Sequence, residues 1–136
     1  MTKDEARHEA ARLWMLKADE ALRAARNDLE ISAASTINRA YYACFYAVSA
    51  ILLTRNIEHS KHSGVRADFN LHFIHTEILD KKHGKFYNKM FDSRNQSDYN
   101  MLTLLDKDTV IIWHNCALDL IEDIEAHIRK SGDTVA

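Results

Sequence analysis

The stretch ISAASTINRAYYACFYAVSAILLTR, residues 31–55, decides the fold class because every other segment must pack on it. It contains no glycine and no proline, so no residue in it breaks a helix. Apolar side chains recur there at steps of three and four residues, which is the spacing of one helical face. The residues of this stripe are Ile37, Tyr41, Phe45, Val48 and Leu52. A second stripe beside it contains Tyr42, Tyr46, Ser49, Ala50 and Leu53. We therefore predict a central helix that is buried over most of its circumference.

Polar residues mark both ends of this helix, and others within it exclude a membrane-spanning segment. Ser32 or Ser35 can cap its start, and Asn56 can end it because asparagine tolerates the left-handed conformation. Asn38 and Arg39 interrupt the apolar surface, so the segment is not a membrane span.

The composition indicates a single helical domain. The chain has 136 residues, of which 46% are hydrophobic, with no proline and 3 glycines, whereas sheets and turns usually need more of both. This length suits one domain, residues 1–136, whose tail at 131–136 we expect to fray. The net charge of -2 excludes a global basic field, so any contact with RNA must come from a local patch.

The cysteines and the N-terminus indicate a cytoplasmic location. Cys44 and Cys116 both fall on apolar helix faces, which is typical of buried thiols in a reducing compartment rather than of a disulfide. Residues 1–21, MTKDEARHEAARLWMLKADEA, are charged throughout and lack the apolar run and cleavage site of a signal peptide.

Four further helices complete an all-α, up-and-down bundle of four long helices and one shorter one, a four-to-five-helix bundle. The first is predicted from about Lys3 to Leu29, and its seam alternates steps of four and three residues. The seam consists of Ala11, Met15, Ala18, Leu22, Ala25 and Leu29. The third helix is predicted to begin near Ser63 and to end between Lys81 and Gly84, where a glycine follows basic residues.

The last two helices follow the same pattern. The fourth is predicted to start near Lys85, with Phe86, Tyr87, Met90 and Phe91 on its buried side. The fifth is predicted to start at Asp106 or Asp108, either of which can cap it, and to end at Lys130–Gly132. Its apolar stripe contains Val110, Trp113, Ala117, Leu120, Ile124 and Ile128.

A dense polar cluster after the fourth helix is the first candidate for chemistry. Residues 94–99 read Arg-Asn-Gln-Ser-Asp-Tyr, and Arg94 and Asp98 are four residues apart. That spacing alone favours an ordinary surface salt bridge on a helix. The functional alternative is an arginine fork for phosphate, with Asn95, Asp98 and Tyr99 supplying further hydrogen bonds.

Basic residues and histidines give weaker signals. Lys85 and Lys89 belong to a basic scatter that is either a solvated face or one positive face near Arg94 that binds RNA or nucleotide. The scatter also contains Lys61, Arg66, Lys81 and Lys82. The histidine pairs 59/62 and 72/75 have a spacing at which two rings can share a metal ion. No cysteine or carboxylate completes such a site, so we predict no metal.

Three segments together resemble the HEPN family of small prokaryotic helical-bundle proteins. They are NRAYYACFYAVSAILL at 38–53, SKHSGVRADF at 60–69 and SRNQSDY at 93–99, in the family's order. The resemblance, from about Lys17 to Ile128, implies a homodimer in which two polar motifs face each other across a cleft. Many members are encoded with a minimal nucleotidyltransferase (MNT type) in toxin–antitoxin pairs. Active members are ribonucleases that need no metal or other cofactor.

The family motif is an arginine, often a polar residue, and a histidine four to six positions on. Carried over, Arg94 matches the arginine and Asn95 its polar neighbour. The histidine falls between Asp98 and Met101, where this chain has none and Tyr99 stands instead. The motif is therefore either a degenerate ribonuclease site or a non-catalytic site, in a dimeric module that binds a nucleotide, RNA or a protein. In the catalytic case Asp98 and Tyr99 take the polar role beside Arg94 and Asn95, and His72, His75 or His83 could reach the motif from another helix or subunit.

Overall fold

Helices account for the regular structure of this protein. The structure, a computed structural model, describes the backbone of residues 1–95 and 106–135 and the side chains of residues 1–93 and 106–131. Its elements are α1 (Lys3–Asn27), α2 (Ala33–Leu53), α3 (His62–Phe69), α4 (Lys81–Asn95) and α5 (Lys107–Val135). A π-helical turn, Asn70–Ile74, continues α3. The all-α prediction is confirmed: the described residues form no strand.

The first two helices pack closely along a seam of alanines. Five of the six predicted seam positions of α1 are buried, namely Ala11, Met15, Ala18, Leu22 and Ala25. Helix α2 contributes Ala40, Ala43, Ala47 and Ala50, each fully buried. Because alanine side chains are short, the two helix axes can approach closely and bury backbone as well as side chains.

Helix α2 is the central element, as its sequence predicts. Ser32 caps its start by accepting a hydrogen bond from the Ser35 amide at 3.2 Å, and Asn56 just beyond its end has a φ of 61°. Of the predicted stripe, Ile37, Tyr41, Val48 and Leu52 are buried and Phe45 is half-buried. Replacing an N-cap serine such as Ser32 by alanine typically lowers the free energy of unfolding by about 1 kcal/mol.

The ends of α3 and α4 correct the sequence prediction. Lys81–Gly84, predicted as the end of the third helix, is the first turn of α4. The third helix ends earlier because Glu77 adopts a left-handed φ of 62°, and Asp80 then accepts a hydrogen bond from the Lys82 amide at 2.9 Å. Gly84 allows a close approach instead: a Cβ there would lie 2.8 Å from Cγ2 of Ile74.

Helices α3 and α4 run antiparallel in a clear register. Arg66 pairs with Asp92. One turn further along, at the start of the π-helical turn, the side-chain amide of Asn70 donates a hydrogen bond to Oδ1 of Asn88 at 3.0 Å. At the far end, position 84 faces Ile74. The residue numbers in each of these pairs sum to about 158, so the start of α3 lies level with the end of α4.

Helix α5 closes the bundle against α1 and α2. Asp106 caps it by accepting a hydrogen bond from the Thr109 amide at 2.7 Å, and this bond lowers the pKa of the Asp106 carboxyl. The helix continues to Val135, so the predicted end at Lys130–Gly132 is wrong. The reason is that a glycine ends a helix when it turns left-handed, and none of the glycines described has a positive φ.

The core is apolar and its thiols are free. Cys44 is buried, and its burial raises the pKa of the thiol, while Cys116 is half-buried; both are unbridged. Among the described helices, none is both long enough and apolar enough to cross a membrane.

A hydrogen-bond network at Asp28 connects the end of α1 to α2 and makes the stability of the fold depend on pH. Oδ2 of Asp28 accepts hydrogen bonds from the Ser35 hydroxyl at 2.5 Å and from Nε of Arg39 at 2.7 Å. The hydrogen bond from Ser35, and then the contact with Arg39, lowers the pKa of the Asp28 carboxyl below its usual value of 3.8.

We expect Asp28→Asn to be less stable than the wild type at neutral pH, with the difference vanishing in acid. A carboxyl whose pKa is lowered by folding stabilises the folded state above its unfolded pKa, and that contribution is lost as the pH falls through the lower, folded value. Thermal unfolding of both proteins between pH 7 and pH 2 measures this difference. A gap between the melting temperatures that stayed constant across this range would contradict the assignment.

Candidate functional site

The predicted site lies at the C-terminal end of α4. Arg94 and Asn95 form the last turn of this helix, where the structure describes their backbone. Arg94 comes one turn after Met90 and two turns after Tyr87, so its Cα lies on the side of α4 that faces the bundle. Asp98 and Tyr99, the other predicted site residues, lie outside the described residues.

An aromatic cluster stands level with this helix end. It consists of His62, at the start of α3, together with Tyr41, Tyr42 and Phe45 of α2, and we call it the His62 cluster. Nδ1 of His62 lies 2.7 Å from the Tyr41 hydroxyl, and the imidazole stacks on Phe45 with ring centroids 4.0 Å apart. Tyr42 meets the imidazole edge-on at 6.1 Å. The ring of His62 is thus held on three sides while its side chain remains partly exposed.

Buried aromatic rings link this cluster to α4. The Tyr41 ring stacks on Tyr87 with centroids 6.3 Å apart, and Tyr87 in turn meets Phe69 edge-on at 5.6 Å. Burial raises the pKa of the Tyr87 phenol well above its usual value, so this group remains neutral at physiological pH. The rings give the end of α4 a rigid, uncharged support.

The basic residues fall into two groups. Lys85 and Lys89, both exposed and four residues apart, share one side of α4, and the ammonium of Lys89 lies 5.0 Å from the ring centre of Trp113. Arg66 is engaged by the protein itself, since it pairs with Asp92 at 3.2 Å and covers Phe91. Lys82 pairs with Asp119 at 3.0 Å. Lys85 and Lys89 therefore form an exposed basic face of α4, on the other side of the helix from the Cα of Arg94.

The three histidines named as substitutes for the missing motif histidine lie elsewhere. His83 is at the start of α4, eleven residues before Arg94, which is about 16 Å along a helix. It is buried, and its Nε2 lies 2.7 Å from a carboxylate oxygen of Asp123. His75 follows the π-helical turn at this same end of the pair of helices. His72 lies near Asp68, with 3.7 Å between Nε2 and Oδ1.

A group of potential metal ligands surrounds His83. One donor atom each from His83, Asp119 and Asp123 lie within 4.8 Å of one another. The carboxylates are four residues apart on α5, a spacing that was visible in the sequence but was not connected to His83. Lys82 already neutralises Asp119, and His83 already bonds Asp123, so the existing contacts satisfy these groups. The absence of a metal remains a prediction.

A small cavity lies beside the His62 cluster, on the side of Phe45 that faces α1. Its volume is about 80 Å³, and Trp14, Phe45, Leu52 and His59 contribute to its wall. Pockets that enclose a drug-sized ligand measure several hundred Å³. This cavity is therefore too small to enclose a drug-sized ligand.

Comparison with known proteins identifies the fold family. The HEPN domain matches residues 11–127, which run from α1 through most of α5. The chain belongs to the HEPN family. It is 43% identical to a UPF0332 protein of Thermotoga maritima over 100 residues, which are 71% of this chain and 76% of that protein.

Two shorter matches connect this HEPN chain with proteins named as toxins. Both relatives are called "putative toxin" and come from Methanocaldococcus jannaschii. One is 36% identical over 46% of this chain and 47% of its own length, and the other is 38% identical over 53% of this chain and 49% of its own length. The matches thus span about half of each of these two relatives.

Sequence reasoning placed Tyr41, Tyr42 and Phe45 on the apolar stripes of the central helix but did not connect them with His62. His62 was considered as a metal ligand with His59, but the structure separates their roles. His59 bonds the Asp68 carboxylate, whereas His62 bonds Tyr41. The one signal in the sequence was the HEPN-like segment at 60–69, which contains His62 but does not indicate what it faces.

Proposed function

We propose that this HEPN protein binds RNA at the end of α4 and acts as the toxin-like member of a two-protein system. The observation that carries the proposal is the position of Arg94 in the last turn of α4, level with the partly exposed His62 cluster. The relatives named as toxins support the same role. A homodimer would bring two such helix ends to one cleft.

The chemistry follows from what a phosphodiester presents. Arg94 would bind the phosphate oxygens through its guanidinium fork, and Lys85 and Lys89 would attract the neighbouring phosphates of the backbone. Asn95 would donate a further hydrogen bond to the same phosphate, and Asp98 with Tyr99 would complete the polar site. In cleavage, Arg94 would stabilise the additional negative charge that the phosphate acquires in the transition state.

The proposed partner is a minimal nucleotidyltransferase, the antitoxin-like member of the pair. This rests on the HEPN family assignment together with the relatives named as toxins. The candidate surface for control is the RNA site itself, because a partner that covers or modifies the α4 end would block phosphate binding without unfolding the bundle.

A second function is favoured by one specific observation. No histidine stands between Asp98 and Met101, so the motif lacks its own general base. In that case the dimer binds a nucleotide, RNA or a protein without turnover, and the role of Arg94 is limited to the phosphate.

We expect Arg94→Ala to weaken RNA binding about 10- to 100-fold, because a charge-assisted hydrogen bond to phosphate contributes about 1.5–3 kcal/mol. Fluorescence anisotropy with a labelled single-stranded RNA at fixed salt measures the affinity. Gel analysis of mixed RNA measures cleavage in the same samples.

The matched control is Arg129→Ala, which removes an exposed arginine of α5 that pairs with Glu125 at 3.3 Å. This variant should bind RNA as the wild type does. Equal affinities for wild type and Arg94→Ala would contradict the proposed site. Binding that depends on Arg94 without any cleavage would select the non-catalytic alternative.

A further inference from the structure

We propose that the bases of single-stranded RNA stack on a surface formed by Trp14 and Lys17 of α1 and by Phe45 and Tyr46 of α2, which we call the Trp14 surface. The inference rests on the proposed function, because it names the form of RNA that the protein binds and the place where its bases lie. All four side chains are described, and none belongs to the polar cluster at residues 94–99.

The three rings of the Trp14 surface form a continuous patch. The ring centroid of Tyr46 lies 5.6 Å from that of Trp14 and 6.0 Å from that of Phe45. Each ring packs on the core but remains partly exposed, whereas Trp113, the second tryptophan of the chain, is buried. Trp14 and Phe45 also border the small cavity, so protein atoms do not fill the space beside them. A contiguous, partly exposed apolar patch is typical of a binding surface, unlike scattered apolar side chains.

A cation completes this surface. The ammonium of Lys17 lies 5.2 Å from the ring centre of Trp14 and 4.7 Å from that of Tyr46. Lys17 is exposed, and among the described residues no ion pair includes it, so its charge is available to a phosphate. Proteins bind single strands by combining aromatic rings, on which the bases stack, with cations that follow the backbone. The charge of the Trp14 surface is thus complementary to that of RNA.

The Trp14 surface is continuous with the proposed phosphate site. Phe45 belongs to the His62 cluster, which stands level with the last turn of α4. Tyr46 also adjoins Tyr42 of that cluster, with ring centroids 6.0 Å apart. A strand whose backbone crosses the end of α4 can therefore lay its bases across α2 toward Trp14. Double-stranded RNA cannot do this, because its bases are stacked on one another inside the duplex.

The fluorescence of Trp14 tests the inference on the folded protein. The chain has 2 tryptophans, so Trp113→Phe leaves Trp14 as the single indole. We expect its emission to fall when oligouridine of about ten nucleotides is added, because a base then stacks on the indole. Riboses that carry 2′-fluorine keep this strand from being cleaved. An abasic strand of the same length, and a duplex of oligouridine with oligoadenosine, should leave the emission unchanged.

Variants of Tyr46 separate stacking from phosphate binding. Tyr46→Ala should weaken binding of oligouridine about 5- to 100-fold, the usual effect of removing one ring on which a base stacks. The matched control, Tyr46→Phe, keeps the ring and should bind as the wild type does. The affinity for the abasic strand should be equal in all three proteins. Circular dichroism and thermal melts check that each variant folds.

Lys17→Gln tests the cation without touching the core. The logarithm of the affinity for oligouridine falls with the logarithm of the salt concentration, and this variant should make that slope shallower by about 0.7, the value for one phosphate of a single strand. The control, Lys3→Gln, removes the same charge 14 residues earlier on α1 (17 − 3), which is about 20 Å away, and should leave the slope unchanged. Equal slopes for Lys17→Gln and the wild type would overturn the role of this cation.

The outcomes separate this inference from the proposed function. RNA binding that leaves the emission of Trp14 unchanged and is equal in Tyr46→Ala overturns the stacking surface and keeps the proposed function. Emission that changes with protein concentration alone, together with loss of a dimer in Tyr46→Ala, would mean that the surface joins two copies of the chain, and this also overturns the inference. A wild type that does not bind RNA overturns both proposals.

Discussion

Phe69→Ala should lower the free energy of unfolding by about 3–5 kcal/mol, the cost of removing a large aromatic side chain from a packed core. Phe69 is fully buried, meets Tyr87 edge-on with centroids 5.6 Å apart, and lies 6.3 Å from the ring of Phe73. These contacts hold α3 on α4. A loss of this size is a large fraction of the 5–15 kcal/mol by which small domains are stable.

Urea unfolding followed by circular dichroism measures the effect, with Leu71→Ala as the matched control. Leu71 lies two residues further along the same helical segment and is 55% exposed, so its truncation should change stability by about 0.5 kcal/mol or less. If the two variants lost equal stability, α3 would not pack on α4 as described. The inference that His62 lies level with the end of α4 would then also be wrong.

The central helix could be predicted from the sequence because its signal is local. Periodic apolar residues, a serine cap and an asparagine at the end all act within a few residues of one another. Ser32 caps α2, Asn56 is left-handed, and Tyr41 and Val48 of the predicted stripe are buried. The seam of α1 was predictable for the same reason, since its buried positions follow a regular three-four spacing.

The boundary between α3 and α4 could not be predicted because it depends on contacts between helices. Gly84 follows basic residues, which is the local pattern of a helix end. Its actual role is to let α4 approach Ile74, and no local pattern encodes that neighbour. The break falls instead at Glu77, a residue type that seldom adopts a positive φ.

Only part of the candidate site could be predicted from the sequence, for a related reason. Arg94 stands in a motif that is contiguous in the sequence, so a family resemblance is enough to name it as a candidate. The His62 cluster comes from other helices, and its level relative to the end of α4 depends on how α3 lies along α4, which the pairs Arg66–Asp92 and Asn70–Asn88 indicate. A search for a replacement histidine by type alone named His72, His75 and His83, and of these His83 lies at the opposite end of α4 from Arg94.

Leu120→Ala should lower the free energy of unfolding by about 2–5 kcal/mol, because it opens a cavity where α5 meets the centre of the bundle. Leu120 is fully buried and belongs to the core together with Ile121, Ile124 and Val48. A packed core relaxes only partly into a vacated space, so a residual cavity adds to the cost of the substitution. The measured loss of unfolding free energy should therefore exceed the transfer free energy of the removed side-chain atoms alone.

Leu118→Ala is the matched control, since it makes the same chemical change two residues earlier on the same helix. Leu118 is 38% exposed, so much less apolar surface returns to water and no closed cavity forms. Urea unfolding of both variants at one pH gives the comparison, with the slope of the free energy against urea as a check on two-state behaviour. Equal losses in the two variants would mean that α5 is rotated about its axis relative to this structure. A clear excess for Leu120 would establish the face by which α5 completes the core.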